Sequence, residues 1–207
     1  MRLSFDRIEH SDSAIDIEGG GCLSSRPDTY RILVAGDEEL GFSYCAKLLD
    51  RNITDPRSIA KESLGKLWPK DEWTKHTTVS KDGVISTLEL DLELHGAWVW
   101  EIYNTLEPKD YFRRFAGVIL CANPDREHLH SELSNFINSV TIHVGFPLPT
   151  ILLVDKSQKL VKGQTEALRQ MAENLEVPIF FIRLNTGENI EEAFKSLAGE
   201  IYKNETS

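Results

Sequence analysis

The residues able to do chemistry in this chain are scattered. Cys22, Cys45 and Cys121 are odd in number and widely spaced, which argues against a disulfide framework. No CxxC or Cys/His ligand spacing occurs, so a zinc site is not expected. Among the six histidines, His128 and His130 stand two apart, which splays them on a helix; they read as surface residues. No Ser/His/Asp set or carboxylate pair has a spacing that compels nucleophilic or acid–base catalysis. Asp125-Arg126-Glu127 is polar and helix-initiating, and capping accounts for it. What remains is Gly36-Asp37-Glu38-Glu39-Leu40-Gly41-Phe42-Ser43, directly after the apolar run Ile32-Leu33-Val34. By themselves, two glycines after a strand read as a plain strand–turn–helix connection.

The elements that must position these residues follow from composition and periodicity. Of 207 residues, 41% are apolar and 27% charged, the balance of a folded globular chain. The 23 basic residues against 33 acidic ones give a net charge of −10, which excludes nucleic-acid binding driven by net charge. No apolar run is long enough to span a bilayer. The N-terminal residues lack the apolar core of a signal peptide. Residue 2 is Arg and the C-terminal KNETS has no Cys, so no lipid anchor or direct membrane insertion is expected. These features and the sparse cysteines fit a cytoplasmic protein.

Residues 1–28 hold Gly19-Gly20-Gly21, Ser24-Ser25 and Pro27, and read as a flexible extension with a short strand near 14–17. The run at 32–34 reads as a strand buried on both faces, followed by a helix carrying Tyr44, Leu48 and Leu49. LELDLEL (88–94) alternates as a half-exposed strand. His95-Gly96 makes a turn, and AWVWEIY (97–103) returns as the second arm of a hairpin. Further strands are expected at 117–120, 150–154 and 178–182, and helices at 126–139 and 164–175. Asn189 is expected to cap a last helix whose stripe is Ile190, Ala193, Phe194, Leu197 and Ile201. Strands alternating with helices call for an α/β fold, a mostly parallel sheet covered on both faces.

Residues 30–203 resemble the Ras superfamily of small GTPases, with the texture of the Rab branch. VPIFFIRLNTGENIEEAFKSLAGEIYK (177–203) is similar to that family's last strand, loop and helix. AGVILCANPDREHLHSELSNFI (116–137) is similar to its fourth strand and following helix, and Trp100-Glu101 stands where the family has Trp-Asp. The resemblance implies the P-loop NTPase-like small-GTPase fold. That is a mostly parallel six-stranded sheet with one antiparallel edge strand and helices on both faces. The domain would span 29–207 with an insertion at about 56–75, which holds Trp68 and Trp73 and a possible short helix at 58–67.

The family binds guanine nucleotide through five motifs, and this chain alters each. In the phosphate loop, GxxxxGK[ST], Gly36, Gly41 and Ser43 match, but Phe42 replaces the lysine that neutralises phosphate. Glu38 and Glu39 put carboxylates where phosphates would lie, at a cost on the order of several kcal/mol in a partly dry site. The magnesium-binding switch threonine aligns with Thr78, which with Ser43 would hold Mg²⁺ if the ion were bound at all. In DxxG, the family's Asp becomes Glu101, its Gly becomes Asn104, and Thr105 stands where the water-orienting Gln would follow. The base-reading NKxD becomes Asp155-Lys156-Ser157-Gln158, and SAK becomes Arg183-Leu184-Asn185. Gln158 cannot accept two hydrogen bonds from guanine as an aspartate does.

The resemblance therefore implies a degenerate member, a pseudo-GTPase that acts as a protein-interaction scaffold or regulator without catalysis and without a cofactor. Phe42, with Leu40 and Leu184, would fill the vacated pocket. Partners would be proteins, docking on the switch-like region, the insertion or residues 88–94 as an exposed acidic edge strand. The alternative is a switch of altered specificity binding GTP or GDP with Mg²⁺ through Gly36, Gly41, Ser43, Thr78, Glu101, Asp155 and Lys156.

Overall fold

The computed structural model describes residues 28–50, 73–94, 111–125, 128–156 and 163–205. Among these, six strands form one sheet: β1 (Asp28–Gly36), β2 (Thr74–Lys81), β3 (Val84–Leu94), β4 (Gly117–Ala122), β5 (Thr150–Asp155) and β6 (Ile179–Ile182). Their order is β2-β3-β1-β4-β5-β6. All neighbours are parallel except β2 and β3. The helices are α1 (Glu38–Leu48), α2 (Leu129–Val144), α3 (Gln164–Asn174) and α4 (Ile190–Glu205). This is the expected α/β architecture of a small GTPase, including the single antiparallel edge strand.

The period-two alternation of the strands sorts the core into two layers. Ile32, Val34, Leu88, Leu90, Ile119, Cys121, Ile151 and Leu153 pack against α1 and α4. Leu33, Ala35, Val118, Leu120, Leu152 and Val154 pack against α2 and α3. Every residue of β4 is buried, as expected of a central parallel strand covered on both faces. The helical stripe on α4 is as the spacing predicts, with Ile190, Ala193, Phe194, Leu197 and Ile201 all buried. Tyr44 donates from its hydroxyl to the Ile190 carbonyl at 3.3 Å, which ties α1 to the start of α4.

The hairpin differs from expectation. The residues 97–103 expected to form its second arm lie outside the described residues. Instead, 88–94 belongs to β3, which pairs with β2 through an Asp82-Gly83 turn. Both turn residues have positive φ (52° and 82°), the backbone of a type I′ turn that matches strand twist. Residues 88–94 are therefore interior, between β2 and β1, and the edge strand is β2. The acidic residues there have partners. Thr74 Oγ1 donates to Asp91 at 2.6 Å, Thr29 Oγ1 to Glu89 at 3.4 Å, and Arg114 pairs with Glu93.

The segments 14–17 and 58–67, and Trp68, lie outside the described residues. Residues 73–75, placed in the expected insertion, are core and strand: Trp73 is 3% exposed, and Thr74 opens β2. Asn189 does not cap α4 through its side-chain oxygen. It sits at φ 62° and donates from Nδ2 to the Phe181 carbonyl at 2.9 Å. Asn tolerates that left-handed conformation better than most side chains.

Candidate functional site

β1, β4, β5 and β6 end at one rim of the sheet, where ligands of open α/β folds bind. The rim is built around Gly36. Its φ is 104°, and a Cβ there would lie 2.3 Å from the Cys121 carbonyl oxygen on β4. Only glycine lets the backbones come that close, and Asp37 N–H then donates to that carbonyl at 2.7 Å.

One residue later the helix begins. Asp37 is the N-cap of α1, and its Oδ1 accepts from Leu40 N–H at 2.9 Å. Gly41 N–H donates to the Asp37 carbonyl at 2.9 Å, already an α-helical bond. The second carboxylate oxygen of Asp37 accepts from Asn123 Nδ2 at 3.2 Å. The helix N-terminus, which attracts anions through its free N–H groups, thus holds the chain's own carboxylate. Replacing Asp37 by Ala removes the cap and the Asn123 contact; we expect a loss of about 1–2 kcal/mol, measurable by urea unfolding.

The rest of the phosphate-loop stretch is helix. Gly41 faces the sheet, where an added Cβ would meet Val34 Cγ1 at 3.2 Å and Cys121 Sγ at 3.4 Å. Phe42 is 1% exposed and packs in the core, its ring 5.4 Å from that of Trp73 and tilted by 59°. Phe42 does not plug the pocket as expected, because a helix starting at Glu38 turns position 42 towards the sheet. Ser43 does face the rim.

A cavity of about 120 Å³ remains there, lined by Asp37, Glu39, Leu40, Ser43, Asn123, Asp155 and Leu184 among others. At ~30 Å³ per water it holds a few waters, well under the ~300 Å³ or more of a small-molecule pocket. Leu40 and Leu184 line it as the sequence suggests. Asn123 was not singled out from sequence; its signal is its place just past β4, in an Asn-Pro-Asp stretch where Asp125 N–H donates to its Oδ1 at 3.0 Å.

The other expected ligands are dispersed. Asp155 ends β5 and lines the cavity. Lys156 is held by its N–H on the Ile182 carbonyl at 2.8 Å, and its Nζ lies 4.8 Å from the centre of the Phe181 ring. Thr78 pairs across from Thr87 in β2 and is exposed. Since Leu88 is level with Asp28, the start of β1, Thr78 lies at the opposite end of the sheet from Gly36. That is roughly 30 Å at ~3.3 Å per residue. Ser43 and Thr78 therefore cannot share one ion. Glu101, Ser157 and Gln158 lie outside the described residues.

Tested against a guanine nucleotide with Mg²⁺, the described residues at this rim do not fit. The stretch that would wrap phosphates is helical, its N-terminus is capped by a carboxylate, and the cavity is small and acidic. No group of three or more His, Cys, Asp or Glu side chains able to hold a metal occurs among the described residues. Burial pushes the Cys45 and Cys121 thiols far up from their ordinary values, and at Cys121 the proximity of Cys45 and of the Asp37 carboxylate further disfavours a thiolate, so both stay neutral and inert.

No protein-family model matches the chain. It is 23% identical over 184 residues to "Ras-related protein RabG2" of Dictyostelium discoideum, covering 87% of this chain and 86% of that protein. It is 25% identical over 175 residues to "Ras-related protein RABE1e" of Arabidopsis thaliana, covering 77% and 76%. No described helix is long and apolar enough to cross a membrane. The similarity to Rab small GTPases is weak but runs over most of both chains, and with the sheet order it supports membership of the Ras superfamily.

Proposed function

We propose that this protein is a pseudo-GTPase: a small-GTPase scaffold that binds protein partners in the cytoplasm without cycling on guanine nucleotide. One observation carries the reading. α1 starts at Glu38, directly after the Asp37 cap, so the residues that would form a phosphate cradle are spent on a helical turn. A cradle needs several N–H groups converging on one anion. Here Leu40 N–H is bound to Asp37 Oδ1 and Gly41 N–H to the Asp37 carbonyl. The loss of the phosphate lysine at Phe42 points the same way. Fold likeness alone would not argue against nucleotide, since one fold serves many functions.

The test is direct. The purified protein is denatured and the supernatant resolved by ion exchange for released nucleotide. The native protein is then titrated with GTP, GDP and ATP in Mg²⁺ while its unfolding temperature is followed. A micromolar site at millimolar ligand would add ~4 kcal/mol of stability and raise Tm by several degrees. We expect no nucleotide peak and no shift. A stoichiometric peak, or a shift specific to guanine nucleotides, would overturn the pseudo-GTPase reading in favour of a switch of altered specificity.

A further inference from the structure

Among the described residues, β6 is an outer strand of the sheet and pairs only with β5. The carbonyls of Pro178 and Ile182 each accept from the β5 side at 2.8 Å, from Leu152 and Lys156 N–H. The intervening odd-numbered residues, Ile179 and Phe181, therefore turn their N–H and C=O groups outward. Asn189 covers the Phe181 carbonyl. The other outward groups, both N–H groups and the Ile179 carbonyl, have no partner among the described residues.

Beside this edge, a groove of about 580 Å³ runs between β6 and α3, with Val177, Pro178, Ile179 and Phe181 along it. Its ends carry opposite charge. At the Phe181 end, Lys156 Nζ and the Arg169 guanidinium lie 4.8 and 5.5 Å from the ring centre, and neither has an ion-pair partner among the described residues. At the Ile179 end stand Glu173 and Glu176. The polarity follows from connectivity: α3 descends from the rim and β6 returns to it.

We propose that this edge binds a second copy of the chain, β6 against β6 antiparallel, about a twofold axis normal to the sheet. That operation keeps both α3 helices on one face. It sets Ile179 opposite Phe181 of the second copy, so that each Phe181 N–H meets the other copy's Ile179 carbonyl, while the Phe181 carbonyl keeps its bond from Asn189. It also brings the acidic end of each groove to the cationic end of the other, making the surface self-complementary. A parallel β6 pair, with its twofold axis along the strands, would turn the two α3 helices to opposite faces and leave the charged grooves apart. Pro178 and the 4-residue length of β6 limit the ladder to a few bonds, so charge supplies much of the selectivity and the dimer is weak.

Sedimentation velocity on the full chain at low salt, from about 1 to about 300 µM, tests this. We expect a concentration-dependent dimer with a Kd in the tens of micromolar that weakens with added salt. Arg169 and Glu173 are both exposed, so their substitution spares the fold. Arg169→Glu alone and Glu173→Arg alone should each raise Kd at least about tenfold; combined, they restore opposite charges and bring it back to within about threefold. A monomer at every concentration overturns the proposal. So does a dimer indifferent to Arg169→Glu, or one that the double substitution fails to restore.

Discussion

Gly36→Ala is expected to unfold this protein or come close to it. The added Cβ would sit 2.3 Å from the Cys121 carbonyl oxygen, inside the contact distance of any real pair, and the obstacle is backbone in a fully buried strand. Relief requires β1 and β4 to separate at the rim. That would break the 2.7 Å bond from Asp37 N–H to the same carbonyl and disturb the cap on α1. The φ of 104° adds strain of its own, since a side chain rarely adopts it. Together we expect a loss of about 4 kcal/mol, a large share of a typical domain's ~5–15 kcal/mol. The measurement is the urea midpoint of the variant against the parent. Gly145→Ala is the control: its φ is 94° but a Cβ there meets nothing within 4 Å, so it should cost about 1 kcal/mol. A Gly36→Ala variant no less stable than that control would mean that the strands do not approach as described.

Phe42→Lys gives the second large effect, and the two readings of the site predict opposite results. If position 42 faces a phosphate pocket, the substitution restores the missing cation and nucleotide binding should improve. Because Phe42 is 1% exposed and packed on Trp73, we expect the reverse. Losing the ring costs ~3–5 kcal/mol as in other Phe truncations, and an ammonium in the same place adds a desolvation penalty unless it reaches water. The expected outcome is a loss of at least about 4 kcal/mol in chemical unfolding, with no stabilisation by GTP and Mg²⁺. Ser43→Ala is the companion: it faces the cavity, and its effect should stay within about 0.5 kcal/mol. A Phe42→Lys protein that folds normally and is stabilised by GTP would sink both the packing and the proposed function.

The strands were legible where they are buried on both faces. Ile32-Leu33-Val34 and the runs at 117–120 and 150–154 are continuous apolar stretches, and central parallel strands leave little else for them to be. The helical stripe at 190–201 was equally plain. The hairpin was harder. Alternation at 88–94 identifies a strand with two unlike faces but does not name its neighbour. Asp82-Gly83 was the available cue for a turn on the N-terminal side. At the site, Asp155 and Ser43 stand at the rim because motif spacing tracks strand ends. Thr78 does not, because counting residues cannot show which end of a strand a position occupies once the register is unknown.

The amino-acid sequence alone determined the layer architecture and which side chains are on offer at the rim. Periodicity sets which faces are apolar, and position 42 carries a ring and no cation in any conformation. Only the tertiary structure decided what became of the freed positions. Whether α1 starts at Glu38 or after Gly41 depends on the competition between a loop awaiting an anion and an Asp37 cap with Asn123 beside it. That competition is settled by contacts between residues far apart in the chain. The same holds for Phe42, whose place against Trp73 follows from the phase of a helix set by its first turn. Spacing proposes which residues can meet; packing and register choose which of them do.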